Sequence, residues 1–180
     1  MKKLPNIITL MRVVLIPVFI VFLMLGHNYI ATGIFVFAAL SDALDGYLAR
    51  KLDVVSDFGK IMDPLADKLL VFSALICLVE LGDIPGWMVI IILARELTIT
   101  SLRSIAAAEG NIIAAGMSGK IKTVFQMVAI PLIMLQNWPF TYINIPMDQI
   151  MLWAALIMTV YSGTEYLIKN RKLFRMKEKS

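Results

Sequence analysis

Four aspartates, Asp42, Asp45, Asp63 and Asp67, stand within 26 residues of an otherwise strongly apolar sequence. Asp42 and Asp45 are three residues apart and Asp63 and Asp67 four apart, so on helices each pair occupies one face. A short connection between two such helices makes an antiparallel hairpin, which can gather all four carboxylates near one end. Clustered carboxylates repel one another and do not all ionise unless cations neutralise them. Hard divalent ions that prefer oxygen ligands, Mg²⁺ or Mn²⁺, are the natural partners. Two such ions suit displacement at a phosphoryl group, where attacking and leaving oxygens both need stabilising. Gly46 and Gly59 leave room beside the backbone for a bulky phosphate ligand, and Arg50 can contact it with two parallel hydrogen bonds.

A second set of charges lies further along the chain: Arg95, Glu96 and Arg103, then Lys120 and Lys122. Cations beside a phosphoryl-transfer site favour an acceptor that brings its own phosphate. Choline or ethanolamine would call for aromatic or acidic walls instead. Two plainer readings stay open, namely that Arg95 and Glu96 form a structural pair and that Arg103, Lys120 and Lys122 only orient the chain.

The elements that must position these groups are membrane helices. Of 180 residues, 59% are hydrophobic and 17% charged, and the mean hydropathy is +0.81. A soluble domain sits nearer half apolar and a quarter charged, so a polytopic membrane protein is favoured over disordered, collagen-like or nucleic-acid-binding classes. Apolar stretches of spanning length fall at about residues 7–26, 29–49, 61–81, 86–106, 118–137 and 147–168. The expectation is an all-α domain over residues 1–180 with six transmembrane helices. Lysines and arginines gather at the start, around the second and fourth connections and in the tail, and are missing from the other three connections. The positive-inside rule then puts both termini in the cytoplasm, and Tyr29, Trp87, Trp138 and Tyr142 mark the opposite interface. The net charge of +4 fits contact with anionic lipid, and no nucleic-acid partner is expected.

Asp42-x2-Asp45-Gly46-x2-Ala49-Arg50-x8-Gly59-x3-Asp63-x3-Asp67 fixes eight positions. In this it resembles the CDP-alcohol phosphatidyltransferases without a departure, and the six-helix expectation agrees with that family along the whole chain. The resemblance implies transfer of a phosphatidyl group from a CDP-linked lipid to an alcohol, with release of CMP. It also implies two divalent ions on Asp42, Asp45, Asp63 and Asp67, with Asp67 taking the proton from the acceptor hydroxyl. Asp42, Gly46, Arg50 and Gly59 would line the CDP-lipid pocket, and a homodimer in the bacterial cell membrane, active on its cytoplasmic side, is the implied form.

The segments Leu4–Arg12, Arg95-Glu96 with Thr100 and Arg103, and Gly119–Thr123 look like the bacterial branch that uses glycerol 3-phosphate. Arg95, Arg103, Lys120 and Lys122 would then hold the acceptor phosphate, and CDP-diacylglycerol would be the donor. Inositol phosphate, serine and phosphatidylglycerol are the alternative acceptors. A transporter also places charges in a membrane, but it would spread them through the depth rather than gather aspartates at two helix ends. Outside these sets, Cys77 reads as packing and His27 as an outer-loop residue. Glu165 reads as the partner of a tail cation, and the Gly116-x2-Gly119 pair as a helix start or a close approach.

Overall fold

Six α-helices account for nearly all of the described chain: α1 Leu4–Met24, α2 Asn28–Leu52, α3 Asp57–Glu80, α4 Gly86–Ala108, α5 Met117–Met134 and α6 Met147–Lys169. The computed structural model describes residues 4–52, 57–108, 110 and 116–171, with side chains for 11, 13–41, 68–107, 110 and 116–171. Among these residues there is no strand. Each expected span coincides with one helix. One addition is a 3₁₀ turn, Phe140–Ile143, in the last connection, where Asn137 holds the chain by donating from its amide to the Ile145 carbonyl at 2.7 Å.

The first and third connections are tight because glycine ends the helix before them. The Gly26 N–H bonds to the Leu23 carbonyl and the His27 N–H to that of Phe22; Gly82 and Asp83 repeat this pattern on Val79 and Leu78. Both glycines have φ near +80° (+78° and +80°), the left-handed conformation that a residue with a Cβ adopts at a cost. His27 is exposed and lies against Phe22, with ring centroids 6.1 Å apart.

Neighbouring helices pack as a closed ring, α1–α2–α5–α6–α4–α3 and back to α1, while α3 also touches α2 and α5 across it. The core consists of large side chains set against small ones. Phe19 and Phe35 are fully buried with ring centroids 5.9 Å apart, and Ala31, Ala38 and Ala74 let the helices around them approach closely. Cys77 belongs to this core.

The outside is apolar as well. Leu25, Phe37, Ile76, Ile90, Leu97, Val124, Ile157 and Ile168 are all more than half exposed. By length and composition, Met147–Lys169 is the one described helix apolar enough to cross a membrane, with shorter apolar stretches at Val13–Met24 and Asn28–Ser41. The other helices carry charges within their length, such as Lys68 on α3 and Arg95, Glu96 and Arg103 on α4.

A candidate active site between α3, α4, α5 and α6

The aspartate motif divides between two helices. Asp42, Asp45, Gly46 and Arg50 lie in the last turns of α2, and Gly59, Asp63 and Asp67 in the first turns of α3. These helices pack together and are joined by residues 53–56 alone. The side chains of all seven lie outside the described residues, as does the structure of the connection itself.

Lys68 follows Asp67 directly on α3. Lys68 lines a cavity of about 490 Å³ together with Arg95, Arg103, Lys120, Lys122 and Lys169. All four acceptor-site residues expected from sequence therefore face one space. The cations come from four different helices, and the only described carboxylates lining the cavity are Glu96 and Glu165.

Local bonding fixes most of these groups. Glu96 Oε1 accepts from Arg95 Nη1 at 2.7 Å and also from Lys122 Nζ. Lys122 is almost wholly buried, at 2% exposure, so this shared carboxylate holds its charge inside the bundle. Arg95 Nη2 donates to Ser162 Oγ at 2.9 Å, which brings α6 into the same network. On α4 the Thr100 hydroxyl donates to the Glu96 carbonyl at 2.7 Å, leaving its oxygen lone pairs to accept from Lys68 Nζ. At the start of α5 the Ser118 hydroxyl donates to Glu165 Oε2 at 2.5 Å, and Lys169 holds the other oxygen of Glu165. The α5 cap residue, Gly116, has no side chain to bond the first turn, so Glu165 brings its negative charge to the positive end of that helix.

Two of the open questions from sequence meet here. Arg95 and Glu96 do form an ion pair, as the structural reading has it, and Arg95 also lines the cavity. Glu165 does pair with Lys169, and it ties α6 to α5 as well. Sequence reasoning missed Ser118, Ser162, Gly163 and Tyr166. None is charged, and only the Ser-Gly step inside an apolar helix hinted at a close approach.

Comparison with known proteins agrees with the motif. The family profile described as CDP-alcohol phosphatidyltransferase matches residues 2–161. The chain belongs to this family. Among its relatives, the CDP-diacylglycerol–glycerol-3-phosphate 3-phosphatidyltransferase of Bacillus subtilis (strain 168) is 44% identical over 94% of this chain and 96% of its own. A protein named probable phosphatidylglycerophosphate synthase, from Mycobacterium tuberculosis (strain ATCC 25618 / H37Rv), is 39% identical over 93% of this chain and 81% of its own. The CDP-diacylglycerol–glycerol-3-phosphate 3-phosphatidyltransferase of Rickettsia felis is 33% identical over 96% and 98%. The family thus makes this chain a phosphatidyl-transferring enzyme.

The Glu96 network generates a stability prediction. Glu96→Ala strands the Lys122 charge in the bundle, and removing one partner of a buried pair costs about 3–5 kcal/mol. The thermal midpoint in detergent should fall well below that of Lys169→Ala, which removes one end of an exposed pair. Equal midpoints for the two variants would mean that Lys122 does not need the carboxylate.

Proposed function

We propose that the protein transfers the phosphatidyl group of CDP-diacylglycerol to the hydroxyl of glycerol 3-phosphate, giving phosphatidylglycerophosphate and CMP. The observation that carries this reading is the cavity in which Arg95, Arg103, Lys120 and Lys122 converge, one residue along the chain from Asp67. A phosphate-bearing alcohol fits such a lining, and the names of the full-length relatives give the same donor and acceptor.

In the proposed reaction the acceptor oxygen forms a bond to the phosphorus that carries the diacylglycerol. The bond from that phosphorus to the CMP oxygen breaks, and CMP leaves with its electron pair. Asp67 takes the proton from the attacking hydroxyl, which is a poor nucleophile at neutral pH without a base. Asp42, Gly46, Arg50 and Gly59 hold the CDP group, and the cavity cations hold the acceptor phosphate.

Asp42, Asp45, Asp63 and Asp67 make a donor set of hard carboxylate oxygens at helical spacing on two packed helices, and this set fits two divalent ions, Mg²⁺ or Mn²⁺. Bound there, such ions would polarise the phosphoryl oxygens. The reading also includes six membrane spans with both termini cytoplasmic, the site on the cytoplasmic side of a bacterial cell membrane, and a homodimer. The apolar outer faces of the helices support the membrane placement.

Three measurements test this. Asp67→Asn keeps an oxygen ligand and removes the base, so CMP release should fall by at least about a hundredfold while CDP-lipid binding largely persists. Loss of binding along with turnover would make Asp67 chiefly a ligand. Arg103→Ala should raise the KM for glycerol 3-phosphate roughly ten- to hundredfold, since a charge-assisted contact contributes about 1.5–3 kcal/mol. The KM for CDP-diacylglycerol should stay near its original value, and an unchanged acceptor KM would reduce Arg103 to an orientation signal. Cysteine labels at Asn28, Asp83 and Asn144 should react from outside, and labels at Ser56, Asn111 and Ser180 from the cytoplasm. One reversed connection would break the six-span arrangement.

A further inference from the structure

On α6, Ser162 and Gly163 carry no charge, belong to no motif and lie just beyond residues 2–161 covered by the family profile. Both are buried against Arg95. The Ser162 hydroxyl donates to the Thr159 carbonyl at 3.2 Å, so its proton is committed and its lone pairs face the guanidinium. It accepts from Arg95 Nη2 at 2.9 Å.

Gly163 acts through space rather than bonding. A Cβ built on it would lie 3.1 Å from Arg95 Cγ, a tighter contact than packed side chains normally make. Alanine is preferred over glycine inside a helix, so glycine here favours the neighbour's fit over the helix's own stability. Gly33 on α2 is the contrast, because a Cβ there would meet nothing within 4 Å. With Nη1 on Glu96 and Nη2 on Ser162, the third guanidinium nitrogen of Arg95, Nε, is buried and has no partner among the described residues.

We infer that Ser162 and Gly163 are positioning residues that set the Arg95 guanidinium for the phosphate of the acceptor. The inference rests on the acceptor reading of the cavity given above. Gly163 leaves the channel for the arginine stem and Ser162 fixes one of its terminal nitrogens. Displacement by a few tenths of an ångström would misaim a rigid, planar donor set whose value lies in its geometry.

The test measures KM for glycerol 3-phosphate and for CDP-diacylglycerol separately, with kcat and thermal midpoint, on the full-length enzyme. Gly163→Ala and Ser162→Ala should each raise the acceptor KM about five- to tenfold and leave the CDP-diacylglycerol KM unchanged. Ser162→Ala adds no volume, so it tests the idea even if Gly163→Ala folds poorly. Gly33→Ala should change neither KM. Arg95→Ala should raise the acceptor KM further, and adding either α6 substitution to it should then have no effect, because neighbours acting through one group are not additive. Additive effects in the double variants, or unchanged acceptor KM in both α6 variants beside a sensitive Arg95→Ala, would overturn the positioning role alone. An unaffected Arg95→Ala would overturn the assignment of Arg95 to the acceptor, and the positioning role with it.

Discussion

The carboxylate of Glu96 is the interaction on which the cavity depends. An ammonium as buried as that of Lys122 is costly to keep charged, and the guanidinium of Arg95 beside it adds repulsion. One acidic oxygen bonded to both makes the arrangement tolerable and joins α4 to α5. Arg95 then reaches across to Ser162, so the same cluster secures α6. Three helices are thus registered against one another by a polar network as well as by apolar contacts. Such a network specifies orientation in a way that interchangeable Leu and Ile contacts do not.

Once α4, α5 and α6 are held in this way, the other local features acquire a purpose. Small residues sit beside Arg95 at both ends of its side chain: Gly163 against Cγ of the stem, and Gly119 with a would-be Cβ 3.4 Å from Nη2 of the head. Glu165 draws the uncapped start of α5 toward α6, and Lys120 and Lys122 follow Ser118 within four residues on α5. Lys68 binds the Thr100 hydroxyl and so pins α3 to α4 at the point where the aspartate motif ends. Each tie joins a different pair of helices around the same space.

Much of this was legible in the sequence. The six helices were legible in the length of the apolar stretches, because the expectation of a spanning backbone leaves few solutions other than helix. The aspartate signature was legible because its chemistry needs particular residue types at helical spacing. Arg95, Arg103, Lys120 and Lys122 stood out because charges are expensive in apolar helices, and the structure brings all four to one cavity. The parts that escaped notice are uncharged. Ser118 matters through the one hydroxyl that meets Glu165, Tyr166 through its position on the cavity wall, and Gly163 through the atom it lacks. Spacing along one helix cannot reveal that a residue on another helix needs the space. The 3₁₀ turn at Phe140–Ile143 was hidden for a related reason: its connection is held by Asn137, which donates to the Ile145 carbonyl and accepts from the Asp148 N–H, rather than by a hydrophobic period.

The aspartate motif and the basic cavity meet at consecutive residues of α3. In its first turns α3 carries Asp63 and Asp67, and then Lys68 opens onto the basic cavity. In the proposed reaction both substrates are anionic and must approach closely, which bare electrostatics opposes. Divalent cations on the aspartates would offset the charge of the CDP group, and the cavity would offset that of the acceptor phosphate. Among the described cavity residues six cations face two carboxylates, so a surplus of positive charge remains for an incoming dianion. Glu96 and Glu165 do not defeat that surplus. They hold cations in place in the absence of ligand, which limits the rearrangement that binding would otherwise require. On that reading the acceptor phosphate would be held with Lys68 and the other cavity cations, and its hydroxyl would be offered to Asp67, the preceding residue in the chain. The step from Asp67 to Lys68 would then divide the reacting end of the acceptor from the end that is gripped.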